Sequence, residues 1–262
     1  MKKLINDGWE FLKLPTGSTS EQAKIHSDWT AVDLPHDWLI WQHADLYENA
    51  DAWYRRKLTV DPLPESCILY FEGVYMDCDI LLNDEKVGCH AYGYTSFQVD
   101  LTGKLRAGQN DLMVHIRHQS PNSRWYSGSG IFRDVYLLSL PENHLVPDSF
   151  YFVESETVSG WKLEIEAETS QKDSGLFSCE AINASGQIIA RGQTNSMNGR
   201  ISLSLELDDF FYPSPPKEGA ARPPEWDTVV RETAGAACAF PFGRTGTRAP
   251  SRPQGPRRRG VG

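Results

Sequence analysis

The chain has 262 residues, 40% apolar, 11% aromatic and 23% charged, which excludes a disordered or fibrous chain and leaves room for one or two packed domains. It has no run of about 18 apolar residues to cross a membrane as a helix. The formal charge of −9 is unevenly spread: residues 213–262 hold nine Lys and Arg against four acids, leaving seventeen basic and thirty-one acidic groups in residues 1–212.

Met1 opens MKKLINDGWEFLKL, where Asn6, Asp7 and Gly8 interrupt any apolar core of a secretory signal, so no membrane partner and a cytoplasmic location are expected. Short apolar alternations with turn residues between them then follow: WTAVDL, WYRRKLTV, CILYFEGV, DCDILLN, TSFQVDL, DLMVHIRH and IFRDVYLL. LNDEKVG, with Asn83 and Asp84 between Leu82 and Val87, reads as a tight hairpin. The run continues through SFYFVES, WKLEIEAE, LFSCEAI and ISLSLEL. WKLEIEAE puts Trp161, Leu163, Ile165 and Ala167 on one face and Lys162, Glu164, Glu166 and Glu168 on the other, a strand packed on one side and wet on the other. No segment keeps a helical period for three turns. Many short antiparallel strands without crossover helices predict an all-β fold, a sandwich or jelly roll.

Pro141 and Pro147 bracket polar residues in LPENHLVPDS and mark a boundary. The expected organisation is a jelly roll over 1–142, a partial sandwich over 143–212 with four or five strands, and an unstructured tail over 213–262. That tail carries nine of the sixteen prolines and eight arginines without strand or helix period, so it buries too little to offset its ordering entropy. Clustered arginine in RPQGPRRRG would suit phosphate, making an interaction protein with a nucleic-acid-binding tail one reading. The favoured reading is translation out of frame, because the change is abrupt and no basic face occurs elsewhere; nucleic acid is therefore not an expected partner.

Cys67, Cys78, Cys89, Cys179 and Cys238 are odd in number and lack CxxC or Cys/His metal spacing, so reduced thiols are expected. His115 and His118, three apart on a strand, point to opposite faces and cannot share a metal. SGSG is no nucleophile elbow, since no helix follows Gly130, and no phosphate loop or dinucleotide fingerprint occurs. No metal and no cofactor are expected. Glu154 with Glu156, Asp77 with Asp79, and Asp208 with Asp209 are close in sequence yet read as solvated acidic faces rather than a hydrolytic pair.

Two loops carry the materials of a carbohydrate site. SRWYSGSG supplies Arg124, Trp125 and Tyr126, a guanidinium for hydroxyls and flat rings for sugar CH faces, followed by Gly128 and Gly130 to turn the backbone into the next strand. LPHDW supplies Asp37, with His36 and Trp38 beside it and Trp41 beyond. Each has a second reading: the rings pack against a neighbouring domain with Arg124 paired to an acid such as Asp134, and Asp37 caps backbone amides.

In order, LPHDW (34–38), AWYRRKL (52–58), FEGVYMDCDILLNDEKVGCHAYGYTSFQVDLT (71–102), QNDLMVHI (109–116) and SPNSRWYSGSGIFRDVYLL (120–138) resemble the amino-terminal portion of family-two glycoside hydrolases, the β-galactosidase and β-glucuronidase group. The resemblance covers residues 1–142 and, more loosely, extends to about 207. It implies a jelly-roll sugar-binding domain, an immunoglobulin-like sandwich that is truncated here, and a third domain, a barrel with two catalytic glutamates, that would lie beyond residue 262. The sequence leaves the family pattern after LELDDFFY. The resemblance thus implies a non-catalytic fragment of a retaining β-glycosidase, with no catalytic residue of its own and with Asp37, Arg124, Trp125 and Tyr126 facing a β-glycoside sugar in the full-length enzyme. An autonomous carbohydrate-binding module is the alternative.

Overall fold

A computed structural model describes residues 1–40, 47–121, 128–158, 160–172, 175–182, 187–208 and 227–232. They are almost entirely β and divide into two compact units: Met1–Ser149 with Glu168–Ser174 and Met197–Gly199, and the remainder from Phe150 onward.

The first unit contains β1 (Lys2–Leu4), β2 (Trp9–Leu14), helix α1 (Ser20–Ile25), β3 (Thr30–Val32), β4 (His36–Asp37), β5 (Ala50–Val60) and β6 (Ser66–Phe71). It continues with β7 (Cys78–Leu82), β8 (Glu85–His90), β9 (Phe97–Asp100), β10 (Gly108–His118), β11 (Gly130–Ile131) and β12 (Val135–Leu140). A four-stranded sheet ordered β1-β12-β6-β9 and a six-stranded sheet ordered β3-β2-β5-β10-β7-β8 enclose one core, a jelly-roll sandwich. β5 and β10 pair antiparallel without a break from Ala50↔His118 to Val60↔Gly108.

The period-two pattern explains which side each residue takes. Ala52, Tyr54 and Leu58 of β5 and Leu112, Val114 and Ile116 of β10 turn into the core. On the other face of that sheet Trp53 and Met113 join Leu12 and Ala23 in a second, smaller cluster. Ala23 belongs to α1, whose start is fixed by a capping box: Gln22 N–H donates to Thr19 Oγ1 at 3.3 Å and Thr19 N–H to Gln22 Oε1 at 2.9 Å. The hairpin expected at Asn83 and Asp84 joins β7 and β8, both turn residues adopting positive φ, 49° and 75°.

The second unit holds β13 (Tyr151–Thr157), β14 (Gly160–Glu168), β15 (Leu176–Ile182), β16 (Ile188–Asn195), β17 (Arg200–Asp208) and β18 (Asp227–Glu232), in sheets ordered β13-β14-β17 and β16-β15-β18. Leu163, Ile165 and Ala167 of β14 are buried and the glutamates between them exposed, as the alternation requires, while Trp161 is half-buried. Leu203 and Leu205 of β17 crowd the backbone of β16, so that a Cβ on Gly192 would lie 2.7 Å from Leu205 Cδ2.

Within the stretch expected to be unstructured, residues 213–262, β18 is a difference. Asp227–Glu232 pairs antiparallel with β15 along its whole length. Its centre, Thr228, Val229 and Val230, is β-branched, and the β15 edge opposite β16 offers backbone groups to pair. Cys67, Cys78, Cys89 and Cys179 are free thiols, and burial pushes Cys67 up to about 11 and Cys78 and Cys179 up to about 12.

Candidate functional site

Two loops distant in sequence are joined by the short β4–β11 ladder, in which Asp37 pairs with Gly130 and His36 with Ile131. Trp38 N–H extends it by donating to the Ser129 carbonyl at 3.0 Å. Gly130 also exchanges two backbone hydrogen bonds of 2.9 Å with Tyr75, tying in a third loop. Only glycine fits there. Gly130 has φ +142°, and a Cβ would fall 2.3 Å from the His36 carbonyl oxygen and 2.6 Å from the Tyr54 hydroxyl.

Asp37 is the hinge of this arrangement. Its Oδ1 accepts N–H groups from Leu39 (3.1 Å), Ile40 (3.0 Å) and Ser129 (3.0 Å), so it caps its own turn and pins the segment at Gly128–Gly130. Its Oδ2 lies where a side chain on Gly128 would be, 1.6 Å from the Cβ position. Of the two readings of Asp37, amide capping is therefore visible in the hydrogen bonds. Arg124, Trp125 and Tyr126, and Trp41 as well, lie outside the described residues; Asp134, proposed to pair with Arg124, accepts from Asn6 Nδ2 at 2.8 Å and from the Tyr136 hydroxyl at 3.1 Å.

Behind Asp37 the surroundings are aromatic and partly to fully buried. His36 Nδ1 is 2.8 Å from the hydroxyl of fully buried Tyr54, and the Phe11 ring lies 5.0 Å from His36 and 5.2 Å from Tyr54. Burial pushes His36 below and Tyr54 well above their ordinary values. Trp38 and His118, each 2% exposed, meet edge to face at 5.9 Å, and Lys13, paired with Glu48 at 2.7 Å, sits over the Trp38 ring at 5.4 Å. Burial lowers His118, against the opposing charges of Asp37 and Glu48.

Of the acidic pairs, Asp77 with Asp79 is held in an ion-paired cluster, while Asp209 and the side chains of Glu156 and Asp208 lie outside the described residues. Arg117 binds Asp77 through Nε (2.8 Å) and Nη2 (3.0 Å) and Asp79 through Nη1 (2.7 Å), and Lys86 approaches Asp79 at 2.6 Å. The Arg117 hydrogen bonds hold Asp77 below the usual carboxylate range, the wrong direction for a general acid. Burial raises the Glu154 carboxyl. Among the described residues no group of three His, Cys, Asp or Glu could hold a metal.

Sequence reasoning missed Asp51, which alternation assigns to an outward face yet is 1% exposed. Its Oδ2 accepts Gly17 N–H (2.9 Å), Ser18 N–H (2.9 Å) and Ser18 Oγ–H (3.1 Å) and stands 3.1 Å from His115 Nε2, without hydrogen-bond alignment to it. Trp53 stacks on His115 at 4.0 Å and donates its indole N–H to Ser18 Oγ. This network anchors the loop leading into α1. A cleft of about 570 Å³ beside it, lined by Leu14, Thr16, Ser18, Gln22 and Ile25 among others, shares no residue with the Asp37 site.

A family model described as glycosyl hydrolase 2 galactose-binding domain-like matches residues 17–129. Residues 17–129 are thus similar to a domain of the family-two glycosyl hydrolases. The relatives that the chain matches include a β-galactosidase of Bacteroides ovatus, 36% identical over 149 residues, a match covering 51% of this chain and 17% of that protein. A β-glucuronidase of Formosa agariphila is 24% identical over 199 residues, covering 63% of this chain and 20% of the relative. The chain spans about a fifth of the length of the curated relatives it matches. In fold, it superimposes on a β-glycosidase from Bacteroides vulgatus with a TM-score of 0.75 at 22% identity, over 93% of this chain and 34% of that one. The family-two match ends at residue 129, so LPHDW lies inside it and the Gly130 end of the β4–β11 ladder just past it.

Proposed function

We propose that the described residues are the non-catalytic, sugar-facing amino-terminal part of a retaining β-glycosidase, with the second unit standing where the family has its immunoglobulin-like sandwich. The supporting observation is the β4–β11 ladder, which gathers LPHDW, SGSG and the Tyr75 loop at one edge of a domain of the galactose-binding-like type. Hydrolysis with retention needs two carboxylates about 5–5.5 Å apart, free to act as nucleophile and acid. Asp37 is committed to three amides and Asp77 and Asp79 to Arg117, so these carboxylates position and bind but do not cleave.

The purified chain should show no turnover of chromogenic β-galactosides or β-glucuronides above background. Activity that survives purification to homogeneity and disappears on replacing one acidic residue among positions 1–212 would overturn this reading.

A further inference from the structure

Beyond the ladder, the same three-loop edge continues into an aromatic surface that the Asp37 site does not use. Tyr75, whose backbone is bonded to Gly130, presents its ring to Tyr94 at 5.2 Å, and Tyr94 meets Tyr92 at 5.8 Å, both contacts edge to face. Tyr75 is 5% exposed, whereas Tyr94 is 43% and Tyr92 60% exposed. Side-chain burial therefore runs from the core outward along the three rings, and the outer two present their surface to solvent.

The loop bearing these rings is held in place. A Cβ at Gly93 would lie 2.1 Å from Tyr75 Cδ2, so the Tyr75 ring rests directly on the Gly93 backbone and no other residue fits between Tyr92 and Tyr94 without moving it. His90, stacked on Phe97 at 4.3 Å, lies 3.1 Å through Nε2 from Thr95 Oγ1 and fixes the other side of the loop. The Ala91 carbonyl accepts the Asp77 N–H at 3.2 Å, which brings the loop beside the Asp77–Arg117 pair. The Asp77 side chain is 49% and the Arg117 side chain 30% exposed. Ordered rings on a loop whose backbone is bonded to the residue bearing a partly exposed, ion-paired carboxylate match the chemistry of a pyranose: CH faces against a ring surface, rim hydroxyls to the charged pair. A ring surface already ordered in the free chain loses little entropy when a ligand lands on it.

We propose that Tyr92 and Tyr94, with Asp77 and Arg117 at their flank, form a binding platform for the pyranose ring of a β-glycoside, separate from the Asp37 contacts. The sugar class rests on the functional reading above; the platform itself rests on the ring geometry. A protein surface is the competing occupant, and the polar Asp77–Arg117 flank beside hydroxyl-bearing tyrosines favours a sugar.

Saturation-transfer NMR on the full chain tests this with three probes: methyl β-D-galactopyranoside, methyl β-D-glucuronide and cellobiose. At least one should receive saturation, strongest at its ring CH protons. Tyr92→Ala should weaken that binding about fivefold to tenfold and Tyr92→Phe should preserve it, since stacking needs the ring and not the hydroxyl. Because Tyr92 is exposed, Tyr92→Ala should leave the circular dichroism spectrum and unfolding midpoint unchanged, separating lost contact from lost fold. Saturation with none of the three sugars, or transfer that Tyr92→Ala and Tyr94→Ala leave intact, overturns the platform. So does a self-association of the chain that Tyr92→Ala abolishes while sugar transfer is absent. Turnover of a chromogenic glycoside would sink the functional reading without touching the platform, so the two failures are told apart.

Discussion

Among the described residues, eleven of the twelve largest fully buried side chains lie in the first unit, Trp9, Tyr54, Phe71, Leu112 and Ile116 among them, while the second unit contributes Phe177. Both units are made of β-strands, and β14 alternates more regularly than β5 or β10, each of which has five consecutive residues buried on both faces. What differs is thickness. The first has sheets of four and six strands around the core; the second has two sheets of three, and its β16 buries no side chain fully. Alternation is enough to make a strand amphipathic, but a dry interior requires enough neighbours on both sides, and apolar area removed from water scales with them.

The largest expected effect exploits the tightest spot. Gly130→Ala should destabilise the first unit by about 3 kcal/mol or more, because a Cβ meets backbone oxygen at a φ that side chains resist. Gly192→Ala in the second unit should cost about 1 kcal/mol or less, since what it meets is the flexible end of Leu205. Urea unfolding followed by circular dichroism measures both, and equal losses would break the contrast between a rigid and a yielding unit.

Cavity formation sharpens it further. Leu69, 0% exposed, sits between wide sheets that cannot close over a void, and Leu69→Ala should cost about 3–4 kcal/mol. Leu163, 1% exposed, sits in the thin sandwich, which can collapse, so Leu163→Ala should cost about 2 kcal/mol. If Leu163→Ala proved the costlier, the second unit would be the better packed.

The smallest effect is on pH. His36, His115 and His118, all in the first unit, are lowered from the ordinary 6.5 by burial, which the Asp37 charge opposes at His36 and His118 and Asp51 opposes at His115. With the folded values below the unfolded one, the unfolded chain binds more protons in this window; the stabilisation is complete above 6.5 and falls as pH drops below it. No histidine follows His144 in the sequence, so no histidine titration acts on the second unit over the same window. Amide exchange read unit by unit should show protection in the first declining from about pH 7 to about pH 5.5, with His118→Phe flattening the decline. Equal declines in both units would remove histidine as the cause.

Much of the fold was legible because it is written locally. WKLEIEAE, the hairpin at Asn83 and Asp84, and the placing of Leu112, Val114 and Ile116 follow from period two and turn chemistry within a few residues. Asp51 was not legible: the amides it accepts come from Gly17 and Ser18, more than thirty residues earlier, and His115 faces it from another strand. α1 escaped because six residues are too few for a helical period to declare itself, and it depends on a capping box and on Ala23 packing under it. At the site, the sequence left Asp37 between a sugar and a cap, since the Ser129 amide that decides its hydrogen bonding lies 92 positions away. Asp77 and Asp79 show the same gap, because their assignment as an ion-paired cluster required knowing where Arg117 falls.

The contact between Gly128 and Asp37 has a bearing on how these loops can be exchanged. The carboxylate oxygen occupies the volume that any larger residue at 128 would need. Positions 37 and 128 are thus one choice made twice, and a chimaera that exchanges the loop bearing Gly128 without the loop bearing Asp37 inherits a clash or a hole unless both halves travel together.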